Sequence, residues 1–237
     1  MKRGGMDEQA KMAPGPLIQV DNVHKSFLMG KEAVQALRGV TLEVLPGEII
    51  CLMGPSGSGK TTLLNIVGGL EEPSRGHVIV DGENVVALSE DKLSEMRLTR
   101  MGFVFQSYNL LANFTARENV EVPMALAGLG RRERRRRVEQ LLQSVGLADR
   151  ARHYPSELSG GQQQRVAIAR ALANDPPILI GDEITGDLDS ETGFEVMEVV
   201  ARLNRERGTT VVYVTHDPRM AKFAHRVIQL RDGRIVD

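Results

Sequence analysis

The chain has one cysteine, Cys51, no uninterrupted apolar run approaching 18 residues, and a net charge of only −1 at pH 7. A lone cysteine excludes an intramolecular disulfide and fits a reducing compartment, and its setting in the apolar run Glu48-Ile-Ile-Cys-Leu-Met53 reads as core. The missing apolar run excludes an ordinary membrane-spanning helix. The start, Met1-Lys-Arg-Gly-Gly-Met-Asp-Glu8, lacks the apolar stretch of a secretory signal, so a cytoplasmic location is expected. Near-zero charge argues against a chain-wide attraction to nucleic acid or anionic lipid and leaves only a local patch for such work. What remains is a globular composition of 237 residues, 41% hydrophobic and 26% charged, long enough for one substantial core.

The strongest pattern is Gly54-Pro55-Ser56-Gly57-Ser58-Gly59-Lys60-Thr61-Thr62, which follows that apolar run and precedes the helix-like Leu63-Leu64-Asn-Ile66-Val67. It satisfies the P-loop pattern, in which glycines let backbone N–H groups converge on phosphate oxygens at the positive end of a helix. Lys60 is then placed to reach the phosphates, and Thr61 to ligate Mg²⁺.

Upstream, residues 1–16 carry almost no apolar periodicity and read as a mobile tail. Leu17-Ile-Gln-Val20 begins a strand, and Asp21 to Phe27 reads as a polar loop leading away from it. An aromatic there, Phe27, has the π-face to stack on a nucleotide base, or else caps the edge of the core. Val40 to Val44 alternates as a half-buried strand, and His77 to Val80, closed by Asp81-Gly82, adds a β-rich edge. Ser89 is a candidate N-cap for a helix to Arg100, and Met101 to Phe105 is a buried-type strand ending at Gln106. Thr115 opens a helical stretch to Leu129, perturbed at Pro123. The run Arg131-Arg-Glu-Arg-Arg-Arg-Arg137 is either a solvated helix face or a patch for a polyanion or lipid headgroups. Residues 89–157 thus read as a helical insertion that divides one nucleotide-binding core.

Two glycines at a helix start again offer N–H groups to an anion at Leu158-Ser159-Gly160-Gly161-Gln162. A short strand, Pro177 to Ile180, then delivers Asp182 and Glu183 at its C-terminal end. There one carboxylate is placed to hold Mg²⁺ and the next to deprotonate an attacking water. Thr209 to Thr215 is a further buried strand that sets His216 where ligands gather in α/β sheets. Residues 227–236 close the chain as a hairpin with an Asp-Gly turn. No Asn-Lys-x-Asp base-reading motif is present, which disfavours a GTPase.

In order and spacing, Gly54 to Thr61, Gln106, Leu158 to Gln162, Asp182-Glu183, Asp187 to Asp189 and His216 resemble the nucleotide-binding subunit of ABC transporters, across about Leu17 to Asp237. The resemblance implies an α/β fold: a P-loop NTPase core with a mostly parallel sheet, an antiparallel β edge and a helical subdomain. It implies ATP and Mg²⁺ as ligands, and a head-to-tail homodimer burying two ATP molecules. Phe27 would stack on adenine. Lys60 and the P-loop amides would hold phosphates, and Thr61, Gln106 and Asp182 would arrange Mg²⁺. Glu183 would be the general base and His216 the γ-phosphate contact. Ser159 and Gly161, with Gly160 and Gln162, would cover the ATP of the opposite subunit.

Phe27 stands where the family often has tyrosine, Ile184 where it has proline, and Asp187 adds a charge to an interface loop. Phe103 to Leu111, Glu118 to Pro123 and Leu158 to Ala171 look most like the macrolide-export and lipoprotein-release branch. That implies export or extraction of a hydrophobic or amphipathic cargo through separate membrane subunits, docked near Gln106 to Phe114, with the chain peripheral on the inner face of the membrane. The alternative within the branch is a mechanical or regulatory switch without transport. Nucleic-acid relatives carry long coiled-coil or zinc insertions absent here, so no nucleic-acid partner is expected.

Overall fold

Short apolar runs without polar alternation can be satisfied only in a sheet covered on both faces, and four of them build the centre of this molecule. The computed structural model describes residues 15–30 and 32–236. Residues 1–14 of the expected N-terminal tail lie outside the described residues. In chain order the strands are β1 Ile18–Met29, β2 Glu32–Val44, β3 Ile49–Met53, β4 Arg75–Val80, β5 Glu83–Asn84, β6 Met101–Phe105, β7 Ile178–Asp182, β8 Thr210–Val214, β9 Arg226–Arg231 and β10 Arg234–Val236. The helices are α1 Lys60–Val67, α2 Glu90–Arg100, α3 Ala116–Leu126, α4 Arg131–Ser144, α5 Gly160–Ala171 and α6 Ser190–Arg207.

The larger sheet has the order β10-β9-β3-β8-β7-β6, parallel throughout except for the β9–β10 hairpin. Period-two geometry sends alternate side chains of β3 to opposite faces. Ile49 and Cys51 join one core with α3 to α6, whereas Ile50 and Leu52 join another with α1 and the smaller sheet. That smaller sheet, β2-β1-β4-β5, is antiparallel. Helix α1 therefore runs through apolar surroundings on both sides, with Leu63, Leu64, Ile66 and Val67 all buried. Anything held at its N-terminus is held by a helix buried in the core.

Two expectations are corrected. Residues 21–27 form no polar loop: they continue β1 against β2, with Phe27 opposite Val34. Register shifts between Val20 and His24, and again at Lys25/Ser26, break the strict alternation by which a strand is recognised in sequence. The helical insertion does not begin at residue 89 either. Strand β6 pairs with β7 from Met101↔Ile178 to Phe105↔Asp182, and α2 buries Leu93 and Met96 beside α1. The α-helical segment between those two core strands starts with α3, whose Thr115 cap shares a capping box with Glu118. A strand that satisfies its backbone by pairing 77 residues away gives no local sign of which layer it joins.

The arginine run is the first half of α4, whose Val138, Leu141 and Leu142 are buried. Its charges are largely tied locally: Arg134 to Glu121, Arg135 to Glu139, and Arg136 and Arg137 to Glu133. Hydrogen bonds from Arg136 and Arg137 hold the Glu133 carboxyl down to about 2. Cys51 is fully buried, and burial pushes its thiol up to about 11. The native protein should therefore resist a thiol-specific reagent at pH 8 and react fully once unfolded by denaturant. Rapid modification of the folded chain would contradict that burial.

Candidate nucleotide site

The turn from β3 into α1 is made possible by glycines that nothing else can replace. Gly54 has φ 148°, and a Cβ there would sit 2.0 Å from the Leu230 carbonyl oxygen. Gly59 has φ 99°, and its Cβ would meet the Ala36 carbonyl oxygen at 2.5 Å. The loop is thus wedged between the last hairpin and β2. Gly233 of that hairpin donates its N–H to the Ser58 carbonyl at 3.1 Å, while Arg38 donates to Gly233 at 2.8 Å. The Lys60 ammonium folds back on its own loop, donating to the carbonyls of Gly54 and Pro55, each at 2.9 Å. Lys60 is only 7% exposed, and among the described residues the buried Ser58 hydroxyl has no hydrogen-bond partner. A buried ammonium whose protein acceptors are neutral carbonyls has the charge and the donors to bind an anion.

Beside this loop lies a cavity of about 460 Å³, lined by Ser56, Gly57, Gly59, Lys60, Thr61 and Thr62 together with Ala36, Glu183 and His216. The parallel register Asp182↔Val214 explains why Glu183 and His216 arrive together, one and two residues beyond the paired ends of β7 and β8. His216 Nδ1 stands 3.3 Å from Glu183 Oε1. Glu183 takes up a left-handed backbone, φ 48°, where non-glycine residues are uncommon and functional sites over-represented. Just below, Thr61 Oγ1 donates to Asp182 Oδ1 at 3.1 Å. Burial raises the Asp182 carboxyl above its ordinary range, partly offset by the Thr61 hydrogen bond.

The other expected residues are placed elsewhere. Gln106 follows Phe105, which pairs with Asp182, yet its side chain does not line the cavity: Nε2 donates to Asp187 Oδ1 at 2.6 Å. Phe27 is 38% exposed on β1 and carries the Lys25 ammonium 4.9 Å from its ring centroid, outside the cavity lining. Ser159 caps α5 in a reciprocal box with Gln162, accepting from its N–H at 3.3 Å and donating to its Oε1 at 3.0 Å. Gly161 packs so closely on α6 that a Cβ would lie 2.2 Å from Thr192 Cγ2, and Gly160 faces the Tyr108 hydroxyl. No residue of 158–162 lines the cavity formed by the P-loop of the same chain.

Residues 37–186 match the family model described as ABC transporter. The chain belongs to the ABC transporter ATP-binding family. An uncharacterised ABC transporter ATP-binding protein of Thermotoga maritima is 50% identical over 219 residues, covering 92% of this cassette and 93% of that protein. The macrolide export ATP-binding/permease protein MacB of Escherichia coli (strain K12) is 48% identical over 221 residues, 93% of this cassette but 34% of MacB. The cassette therefore spans about a third of the MacB proteins it matches. Among solved structures, the dimeric ABC transporter cassette MJ0796 superposes with a TM-score of 0.85 at 47% identity, over 93% of this chain and 97% of that one. A post-hydrolysis dimer of MJ0796 bound to ADP and Pi superposes equally well, at 46% identity.

Three contributors to the cassette's site belong to no phosphate- or metal-binding motif of the sequence. Buried Gln164 of α5 donates Nε2 both to the Ile184 carbonyl and, at 3.4 Å, to that of Phe105, tying the loops after β6 and β7 to the helix that begins at Gly160. Arg170 donates to the carbonyls of Tyr108, at 2.8 Å, and Asn109, both of which have positive φ. Gly233 braces the P-loop from the end of the chain. The available signal for Gln164 was a polar residue on the apolar face of an amphipathic helix, which demands a buried partner.

Proposed function

We propose that this ABC ATPase dimerises on ATP and uses its hydrolysis to drive export or extraction of a hydrophobic or amphipathic substrate through separate membrane subunits. The observation that carries the reading is that the P-loop cavity is lined by the Lys60 ammonium, by the Glu183–His216 pair and by Thr61, itself bonded to Asp182, while no residue of the glycine-rich α5 start lines it. A γ-phosphate bound here is covered only if a second copy supplies Ser159 to Gln162.

Lys60 exchanges its two carbonyl acceptors for phosphate oxygens, a charge-assisted and stronger bond. Backbone N–H groups within residues 56–62 complete the cradle, and Phe27, 38% exposed on its strand, offers its free ring area to the base. Thr61 and Asp182 fit Mg²⁺: both present oxygen, they lie 3.1 Å apart, and a cation relieves the burial that raises the Asp182 carboxyl. Gln106 is the third candidate for that ion. Bound Mg²⁺ supplies charge neutralisation to the phosphates. Glu183 accepts the proton of the attacking water, and His216 orients Glu183 and donates to the γ-phosphate. In the partner, the free N–H groups of Gly160 and Gly161 and the Ser159 hydroxyl close the site head-to-tail.

Among the described residues no helix is long and apolar enough to cross a membrane. In this reading the cargo path belongs to permease subunits, with the cassette on the cytoplasmic face. A groove of about 470 Å³ between α2, β6 and α3 includes Phe103, Phe105, Asn109 and the 71%-exposed Leu126, and Leu111 and Phe114 are exposed nearby. That apolar surface beside Gln106 is the docking site for a permease helix. Reconstituted in vesicles with its cognate permease, the cassette should release or move a lipophilic cargo only with ATP. Turnover that controls the partner while no cargo moves would replace transport with a regulatory switch.

A further inference from the structure

Resting on the reading of Gln106 as a Mg²⁺-site residue, we propose that Asp187 is a positioning residue that parks the Gln106 carboxamide away from the metal position, so that Mg²⁺ binding must first break this contact. Gln106 has two arms it can present, an N–H donor and a carbonyl acceptor. Only the acceptor suits a cation. In the structure the donor end is engaged at 2.6 Å by the acceptor-only Asp187 carboxylate, and the side chain lies flat over Gly186. A Cβ at Gly186 would sit 3.0 Å from Gln106 Cδ, 3.1 Å from Nε2 and 3.2 Å from Cγ, so the absence of a side chain there is what lets the carboxamide lie down.

The rest of both loops is fixed independently of this contact. Gln164 pins their roots at Phe105 and Ile184, and Arg170 pins the backbone at Tyr108 and Asn109. Among the described residues Asp187 has no other hydrogen bond or ion pair, so its carboxylate serves this contact alone. Its negative charge also reaches Tyr108, adding to the burial that raises that phenol. Tyr108 in turn faces Gly160 at the start of α5. Releasing Gln106 therefore frees one side chain rather than remodelling a loop.

Because both partners are exposed, the latch is modest, and its removal should shift Mg²⁺ dependence by about 3- to 10-fold. The test is a Mg²⁺ titration of the affinity of the full chain for a fluorescent ATP analogue. Asp187→Ala should lower the half-saturating Mg²⁺ by that factor, leaving Mg²⁺-free affinity and the unfolding midpoint unchanged. Asp187→Asn, which still accepts but without charge, should fall between. Adding Gln106→Ala to Asp187→Ala should abolish the gain. An unchanged or increased Mg²⁺ requirement in Asp187→Ala overturns the latch while leaving nucleotide binding intact. Failure of every variant and the wild type to bind the analogue overturns the site reading with it.

Discussion

Glu183→Gln is expected to bind ATP as the wild type does, to stall as a closed dimer, and to turn over at least about 100-fold more slowly, a barrier increase of roughly 2.7 kcal/mol. Glutamine preserves the length and shape of the side chain and still offers an oxygen to His216, 3.3 Å away from Glu183 in the native site. It leaves Lys60, Thr61 and Asp182, the proposed ligands of the phosphates and Mg²⁺, untouched. What it removes is the ability to accept a proton. The left-handed backbone of Glu183, φ 48°, tolerates the change because it is fixed by main-chain bonds: its N–H to Val214 at 3.2 Å, and its carbonyl accepting from Gly186 at 2.9 Å. Phosphate release, fluorescent-nucleotide affinity and size-exclusion elution measured on one preparation separate the three effects. Wild-type turnover in this variant would refute the assignment of Glu183 as the base, whereas lost ATP binding would mean that the substitution disturbed the cradle instead.

The two kinds of site information in this chain differed in how local they are. Gly54 to Thr61 was legible because a phosphate cradle is built from consecutive residues whose conformational needs only glycine meets. Asp182, Glu183 and His216 were legible because buried strands announce their ends, and the parallel β7–β8 register then brings those ends together. The α5 start at Ser159 was named through resemblance, and the structure makes Ser159 the cap of α5 in a reciprocal box with Gln162. What escaped depends on contacts between distant segments. The bulged pairing of β1 hid the strand under Phe27, and the pairing of β6 with β7 hid the true start of the helical segment. Gln164, Arg170 and Gly233 act by hydrogen bonds across 20 to 195 residues, distances over which no pattern of neighbours speaks. The Gln106–Asp187 contact belongs to the same class, spanning 81 residues.

Mixing two inactive variants should restore activity if the site is composite. Lys60→Ala removes the buried ammonium that bridges Gly54 and Pro55, and with it the grip on phosphate. Ser159→Arg puts a bulky cation where α5 should meet the partner's nucleotide, at the cost of its helix cap, about 1 kcal/mol. Each homodimer then carries two defective sites and should hydrolyse almost no ATP. In a head-to-tail mixed dimer the two defects fall in the same site, because the altered P-loop of one chain faces the altered α5 start of the other. The second site is wild type on both sides. Random pairing at equal amounts makes about half the dimers mixed, so about a quarter of the wild-type sites should be intact. A parallel arrangement, or a site complete within one chain, predicts no recovery at all. The separation of residues 158–162 from the P-loop cavity of their own chain argues for recovery. Phosphate release from the mixture, with mixed dimers verified by differently tagged chains, decides it: a verified mixed dimer as inactive as its parents would exclude the composite site. Because each variant is compared with its own homodimer, the cap lost at Ser159 lowers the yield of folded chain without imitating complementation.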